Sequence, residues 1–476
     1  MNKMIPIGLF STLLLTACGG DSGGGGGSPA PTKYTWQFVQ METRTKADML
    51  EQCGVEPTIF NINKVDPEDV QTWKYTYALN AKKVRAILVY DENNDVVDDS
   101  TIDVNNISSK GVLTFTSNDV PKDWSIAIVD TSTSKDTHIF SIEGALLTDS
   151  IIKIQQAQGE ESSCYTDNKL LVSSTLKNVT LKNNSSYTSS DTYFDGKSAI
   201  KPGSSQENLT VINAGEQVLF TGYNTDSYGE LVVNEFAYQD SKTLSTAGTT
   251  IELEKAEEQL VAYITNITNT EFNHLTIRSK YKNDTFDWFD WNAYADDFFV
   301  KIPASPTTSY TYSAKYEGTH KQWGVLDIKN IVGNTVDVDF DANLLNDTTP
   351  TVSCGYICEV NTIGLTYLDN IKASHITFTT GTTHYSMFST KDQVLVPYVP
   401  VSLPIHIDEA KSGDEVTISL LNTVHTDKKL INSFITYGNG RNYTGDSLYA
   451  EAILPPALAY SELAELFNYE YTIVTR

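Results

Sequence analysis

Apolar and aromatic side chains alternate with polar ones along much of the chain. Tyr34-Thr-Trp-Gln-Phe-Val-Gln-Met41 has the period of two expected of a half-buried strand. Comparable runs lie at Val84–Tyr90, Val112–Thr116, Ser125–Val129, Ile151–Ile154, Leu209–Ile212, Gln217–Thr221, Leu231–Phe236, Gln259–Ile264, Val336–Phe340, His375–Thr379, Gln393–Val399 and Val416–Leu420. They are short, rich in Val, Ile, Thr and Tyr, and separated by Asn, Asp, Gly and Ser turns. That pattern predicts an all-β protein of antiparallel β-sandwiches. Helical periodicity is scarce. Lys46–Gln52 predicts one or two turns. Ala457–Asn468 follows a Pro pair and carries Leu458, Leu463, Leu466 and Phe467, which predicts a short amphipathic helix.

Two polar breaks interrupt the strand pattern, Glu160–Asn168 and Asn343–Pro350. They predict three β-rich units in tandem, at 33–168, 169–347 and 348–476. The middle unit has a further candidate division near Leu253, and the last contains the short helix. Each unit is long enough to bury a core of its own.

Charge and composition narrow the function classes. The 476 residues carry a formal net charge of -26, which argues against a sequence-independent nucleic-acid binder, since that needs a basic face. The same balance argues against direct adsorption to anionic lipid. Aromatic residues make up 11% of the chain, too many for a disordered polypeptide.

The amino terminus reads differently. Ile5 to Leu15 is an apolar run broken by Pro6 and Gly8, too short to span a bilayer, which takes about 20 apolar residues. It fits the h-region of a signal peptide. Leu15-Thr16-Ala17-Cys18 follows at once and resembles the lipobox of bacterial lipoproteins. The resemblance implies removal of residues 1–17, a diacylglyceryl thioether on Cys18 and further acyl chains such as palmitate. Several chains together make a stable membrane anchor. Gly19 stands where an inner-membrane retention Asp would stand, which implies delivery to the outer membrane, in either its periplasmic or its surface leaflet. Residues 18–32 form a Gly-rich tether with a span of about 20 Å. Gly23 to Gly27 has no strand before it and no helix after it, so it is not a phosphate loop. Within Val84–Asp130, the order Gly111-Val-Leu-Thr-Phe-Thr, Val120-Pro121 and Trp124-Ser-Ile-Ala-Ile resembles transthyretin-like or carboxypeptidase-regulatory-like sandwiches. This resemblance implies a non-catalytic β module, and the sandwiches are expected to be Ig-like or transthyretin-like.

Beyond Cys18 the chain has Cys53, Cys164, Cys354 and Cys358. An even number in an exported chain favours disulfides, with three possible pairings. The favoured pairs are Cys53–Cys164, closing a long loop, and Cys354–Cys358, closing a tight turn around Gly355-Tyr356-Ile357.

No catalytic set emerges. Gly445-Asp446-Ser447-Leu448 spells the opening motif of GDSL esterases, but it sits in a loop context and no His follows it. Ser174-Thr-Leu-Lys177 matches a Ser/Lys pattern without a partner motif. The seven histidines include no His-x-His or His-Glu-x-x-His. His375 and His384 are expected to face each other across a hairpin turning near Thr380-Gly381, but a single pair has too few ligands for zinc. Asp91, Asn93 and Asp95 begin like a calcium loop; an EF-hand would then need Gly at Val96 and Glu at Ile102. Asp98, Asp99 and Asp103 offer a different cage, and a solvated hairpin turn explains the residues more simply.

The most unusual stretch is Asp284–Phe299. Exposed rings beside carboxylates and an amide suit carbohydrate, and Asp287, Trp288, Asp290, Trp291 and Asn292 are the candidate ligand-binding residues. Alternation along a strand puts Phe286 and Trp288 on one face, and those two are expected to point inward, with Trp291 nearer the surface. The expectation is therefore a non-enzymatic, lipid-anchored outer-membrane protein without a cofactor, in a structural or surface-interaction role. Its architecture is similar to that of acidic lipoproteins of surface structures such as flagellar sheaths. The alternative is a glycan-binding or adhesin module using the Asp284–Phe299 patch. A transmembrane β-barrel is a third reading, opposed by the lipobox, the cysteines and the terminal Arg476.

Overall fold

A computed structural model of the chain describes residues 30–63, 70–81, 84–132, 135–154, 163–166, 175–182, 189–194, 197–201, 205–211, 217–225, 231–256, 258–264, 270–282, 284–292, 297–302, 310–320, 323–330, 335–338, 349–354, 357–362, 371–408, 413–422 and 467–474. The described chain is almost entirely β. Its one α-helix, Lys46–Cys53, coincides with the predicted turns. Thr45 caps it by accepting from the Asp48 backbone N–H, and Gly54 ends it in the left-handed region at φ 67°. The signal, tether and Cys18 lie outside the described residues. So do 457–466 of the predicted C-terminal helix, while Phe467 and Asn468 begin a strand, Phe467–Val474.

The largest element is an eleven-stranded sheet. Its order runs Asp284–Asn292, Thr270–Tyr281, Tyr310–His320, Trp323–Asn330, Phe467–Val474, Glu415–Asn422, Ile371–Thr380, Thr383–Ser389, Thr137–Glu143, Ser125–Thr131 and Ala86–Tyr90. Neighbours are antiparallel except at one seam, where Thr383–Ser389 runs parallel to Thr137–Glu143. The hydrogen-bonded sheet thus crosses both boundaries drawn from the polar breaks.

The two faces of this sheet carry separate cores. Ile126, Ile128, Phe140, Ile142 and Phe388 pack against Trp36, Phe38, Leu113, Phe115, Ile152 and Ile154. The latter come from a five-stranded sheet built on Lys33–Thr45, so the two sheets form a sandwich. Gly111 fits this layer at φ 75°: a Cβ there would lie 2.8 Å from the carbonyl oxygens of Ala81 and Phe38. The opposite face buries Ala127, Val129, Ile139, Tyr385 and Met387 in a core that extends to Leu219, Phe236, Phe286 and Trp288. A third core joins Met49, Trp73 and Tyr77 to Val179, Val218 and Phe220.

Both favoured cysteine pairs are bonded. Cys53–Cys164 spans 111 positions and ties the helix end to the strand pair Lys33–Thr45 and Lys74–Asn80 through the bridge Leu79↔Cys164. Cys354–Cys358 closes the hairpin of Thr351–Cys354 and Cys358–Asn361.

Candidate functional site

The parallel seam ends in a cleft of about 670 Å³. Its floor is made by Ser141 and Glu143 on one strand, Ser125 on the next, and Met387 and Ser389 across the seam. Its walls are the turn after Tyr90 and the segment that follows Ser389. Glu143 is 5% exposed, and its Oε2 accepts from Ser389 Oγ at 3.0 Å, Thr390 N at 2.5 Å and Thr390 Oγ1 at 2.9 Å. Three donors on one buried carboxylate oxygen fix the chain leaving the seam. Lys391 continues that segment and donates its Nζ to the Asp123 carbonyl at 2.8 Å.

The opposite wall is equally well held. Asp91 Oδ1 accepts from the backbone N–H groups of Asn93 at 2.8 Å and Asp95 at 2.9 Å, and these backbone donors, Asp95 first, hold its carboxyl below the usual carboxylate range. Asn94 occupies the left-handed region at φ 65° and is buried, with Nδ2 3.3 Å from the Val396 carbonyl. Tyr90 donates to the Tyr398 carbonyl at 2.6 Å, and burial pushes its hydroxyl pKa upward. Glu92 Oε2 accepts from Trp124 Nε1 at 2.9 Å. Asp91 therefore closes its own Asx turn, and Asp103 caps the short helix Val104–Asn106. Among the described residues no three His, Cys, Asp or Glu side chains come together as a metal-holding group.

The histidine expectation needs correction. The hairpin turns at Gly381 as expected, but His375 lies opposite Phe388 and His384 opposite Thr379. His375 is buried, stacks on Phe388 at 4.2 Å and has Nε2 3.0 Å from Ser386 Oγ. The partner of His384 is His138, across the parallel seam, with ring centroids 4.6 Å apart and an interplanar angle of 14°. Nδ1 of His384 lies 3.0 Å from Thr379 Oγ1, and Asp130, fully buried, faces His138 from the other side in register. A polar row therefore crosses four strands: Thr379, His384, His138, Asp130. Burial, and then His384, depress the His138 pKa to about 4.

Asp284–Asn292 is an edge strand of the large sheet, paired with Thr270–Tyr281 and carrying an irregularity between Ile277 and Arg278. Phe286 and Trp288 are each 1% exposed, as alternation predicts. Trp288 packs edge-on against Phe236 at 5.2 Å and Tyr312 at 5.7 Å, so it cannot stack on a sugar and leaves the candidate ligand set. The side chains of Asp287, Asp290, Trp291 and Asn292 lie outside the described residues, as does the Gly445–Leu448 motif. Asp123, Ser141, Glu143 and Asp392 carried no sequence signal. Each is an isolated residue, and only the sheet brings them together across more than two hundred positions.

No protein-family model matches the chain, and no curated protein matches it. A solved structure from Bacteroides ovatus ATCC 8483, described as a candidate adhesin, is similar over 39% of this chain and 96% of its own, at 10% identity and a TM-score of 0.14. A likeness at that level carries no functional argument.

Proposed function

We propose that this chain is a lipid-anchored, non-catalytic interaction protein of the bacterial outer membrane. The observation that carries the reading is Leu15-Thr16-Ala17-Cys18 directly after an apolar run and before a Gly-rich tether. Two disulfides are consistent with an oxidising compartment. A body of packed β-sheets on a tether of about 20 Å suits display of a surface at a distance from the membrane. The test is metabolic fatty-acid labelling of the protein and of Cys18→Ser in a bacterial host. Label confined to the Cys18 form, with the variant lost from the outer-membrane fraction, supports the anchor. Label that persists in Cys18→Ser removes it.

A further inference from the structure

We propose that the parallel seam is an acid-operated latch: protonation of the stacked His138 and His384 rings parts Thr137–Glu143 from Thr383–Ser389 at their histidine end and frees the strap 396–408 from the apolar face it covers. The two strands come from distant parts of the chain and meet over six register pairs, from Thr383↔Thr137 to Phe388↔Ile142. Parallel pairing is slightly weaker per residue than antiparallel pairing. One end of the join is reinforced, because Glu143 holds Ser389 and Thr390. The other end carries the two rings, 4.6 Å apart, with His138 only 8% exposed. Neutral rings stack there without penalty. Two imidazolium rings would set like charges face to face in a site that is nearly closed to water.

The charged groups around the stack come from several elements. Lys153, on the facing sheet, and His384 both disfavour a proton on His138, whereas Asp136, in the turn before the strand, favours it. Asp130, fully buried, lies beside His138 in register on the next strand. Glu415 lines the same hollow of about 330 Å³ as His384, which gives solvent an approach to that side of the stack. With burial as the largest effect, the folded His138 ring resists the proton down to about pH 4, whereas a ring released to water takes it near pH 6.5. Acid therefore favours the parted seam.

The strap crosses the opposite face of the same strands. Its Val399, Leu403, Ile405 and Ile407 pack on the core that holds Ala127, Val129 and Ile139. Its far end hangs on the histidine end of the seam. Thr137 Oγ1 donates to the His406 carbonyl at 2.8 Å, and the Asp408 N–H donates to Thr383 Oγ1 at 2.9 Å. Thr137 and Thr383 are register partners, so parting the strands pulls these two anchors away from each other. The near end is held separately, by Tyr90 on the Tyr398 carbonyl and Asn94 on the Val396 carbonyl. Asp408 does not trigger the release. Its carboxylate accepts from Thr382 N at 2.6 Å and Oγ1 at 2.9 Å and lies 3.4 Å from His406 Nε2, and these contacts, the Thr382 backbone first, hold it below the usual carboxylate range.

The test is hydrogen–deuterium exchange of the full mature chain in detergent at about pH 7.5 and about pH 4.5, with protection taken relative to the unfolded rate at each pH. Protection of 137–140, 383–386 and 403–408 is expected to fall by about fiftyfold or more at the lower pH, the ratio set by the free and folded titrations of His138. Lys33–Thr45 and the Glu143 end of the seam are expected to stay protected. His138→Gln and, separately, His384→Gln are expected to match the parent at about pH 7.5 and to keep most of that protection in acid. Equal protection of the seam at both pH values overturns the proposal. So does a loss spread evenly over Lys33–Thr45 and the seam, or an undiminished loss in both Gln variants. None of these outcomes depends on whether Cys18 is lipidated, so the anchor and the latch fail separately.

Discussion

The stacked histidines at the parallel seam make stability depend on pH in a direction the structure dictates. An unfolded His takes up its proton near pH 6.5, whereas His138 in the folded protein titrates at about 4. Burial is the first cause and His384 the second; Lys153 acts in the same sense and Asp136 opposes them. Asp130 faces the ring from the neighbouring strand. Between the two values the unfolded chain binds more protons than the folded one. The stability associated with neutral His138 is therefore complete above pH 6.5 and is lost as pH falls toward 4. At about 1.4 kcal/mol per pH unit, the full gap corresponds to about 3 kcal/mol. Urea unfolding at about pH 7.5 and about pH 4.5 measures it, for the parent and for His138→Gln, whose side chain stays neutral. Carboxylates protonate in both proteins, so their contribution cancels in the comparison. The parent is expected to lose about 2–3 kcal/mol more than the variant across that interval. Equal losses in the two proteins would refute the reasoning.

Other perturbations probe other layers. Replacing Cys53 and Cys164 together by Ala opens a loop of 111 positions and is expected to cost about 4–5 kcal/mol in denaturant unfolding; a cost below about 1 kcal/mol would contradict the chain-entropy account. Trp288→Ala removes a ring packed on Phe236 and Tyr312 and is expected to cost about 3–5 kcal/mol; a near-neutral melting curve would place the ring at the surface. Calcium at a hundred times a supposed dissociation constant would add about 2.7 kcal/mol if Asp91–Asp103 were a cage. Because Asp91 and Asp103 already serve their own backbone, no thermal shift is expected. A rise abolished by Asp95→Ala would reverse that reading.

The elements were legible where one face of a strand is wet. Tyr34–Met41 alternates and lies within Lys33–Thr45, and Val112–Thr116 matches its strand end to end. Thr137–Glu143 and Thr383–Ser389 carry no half-buried strand pattern. Both lie between two cores, so their positions are buried on either face and alternation disappears. That loss concealed the seam, since nothing local in Thr-His-Ile-Phe or Thr-His-Tyr-Ser announces a parallel partner more than two hundred residues away. The same distance effect hides the neighbour of His384. Within a hairpin the nearest candidate was His375, whereas the real neighbour enters from a different part of the chain. The cleft follows from the seam and shares its invisibility. The cysteine pairs were more accessible, because a short spacing leaves Cys354 and Cys358 few other geometries.

The central claim is that residues 1–17 are removed and that the folded body hangs from lipid on Cys18. The most direct test is mass spectrometry of the amino-terminal peptide of the mature protein, recovered from the outer-membrane fraction of an expressing bacterium. The account predicts a peptide that begins at Cys18 and carries the mass of a diacylglyceryl thioether with further acylation. An unmodified Cys18 within an uncleaved chain, or a mature protein that begins elsewhere, would contradict it.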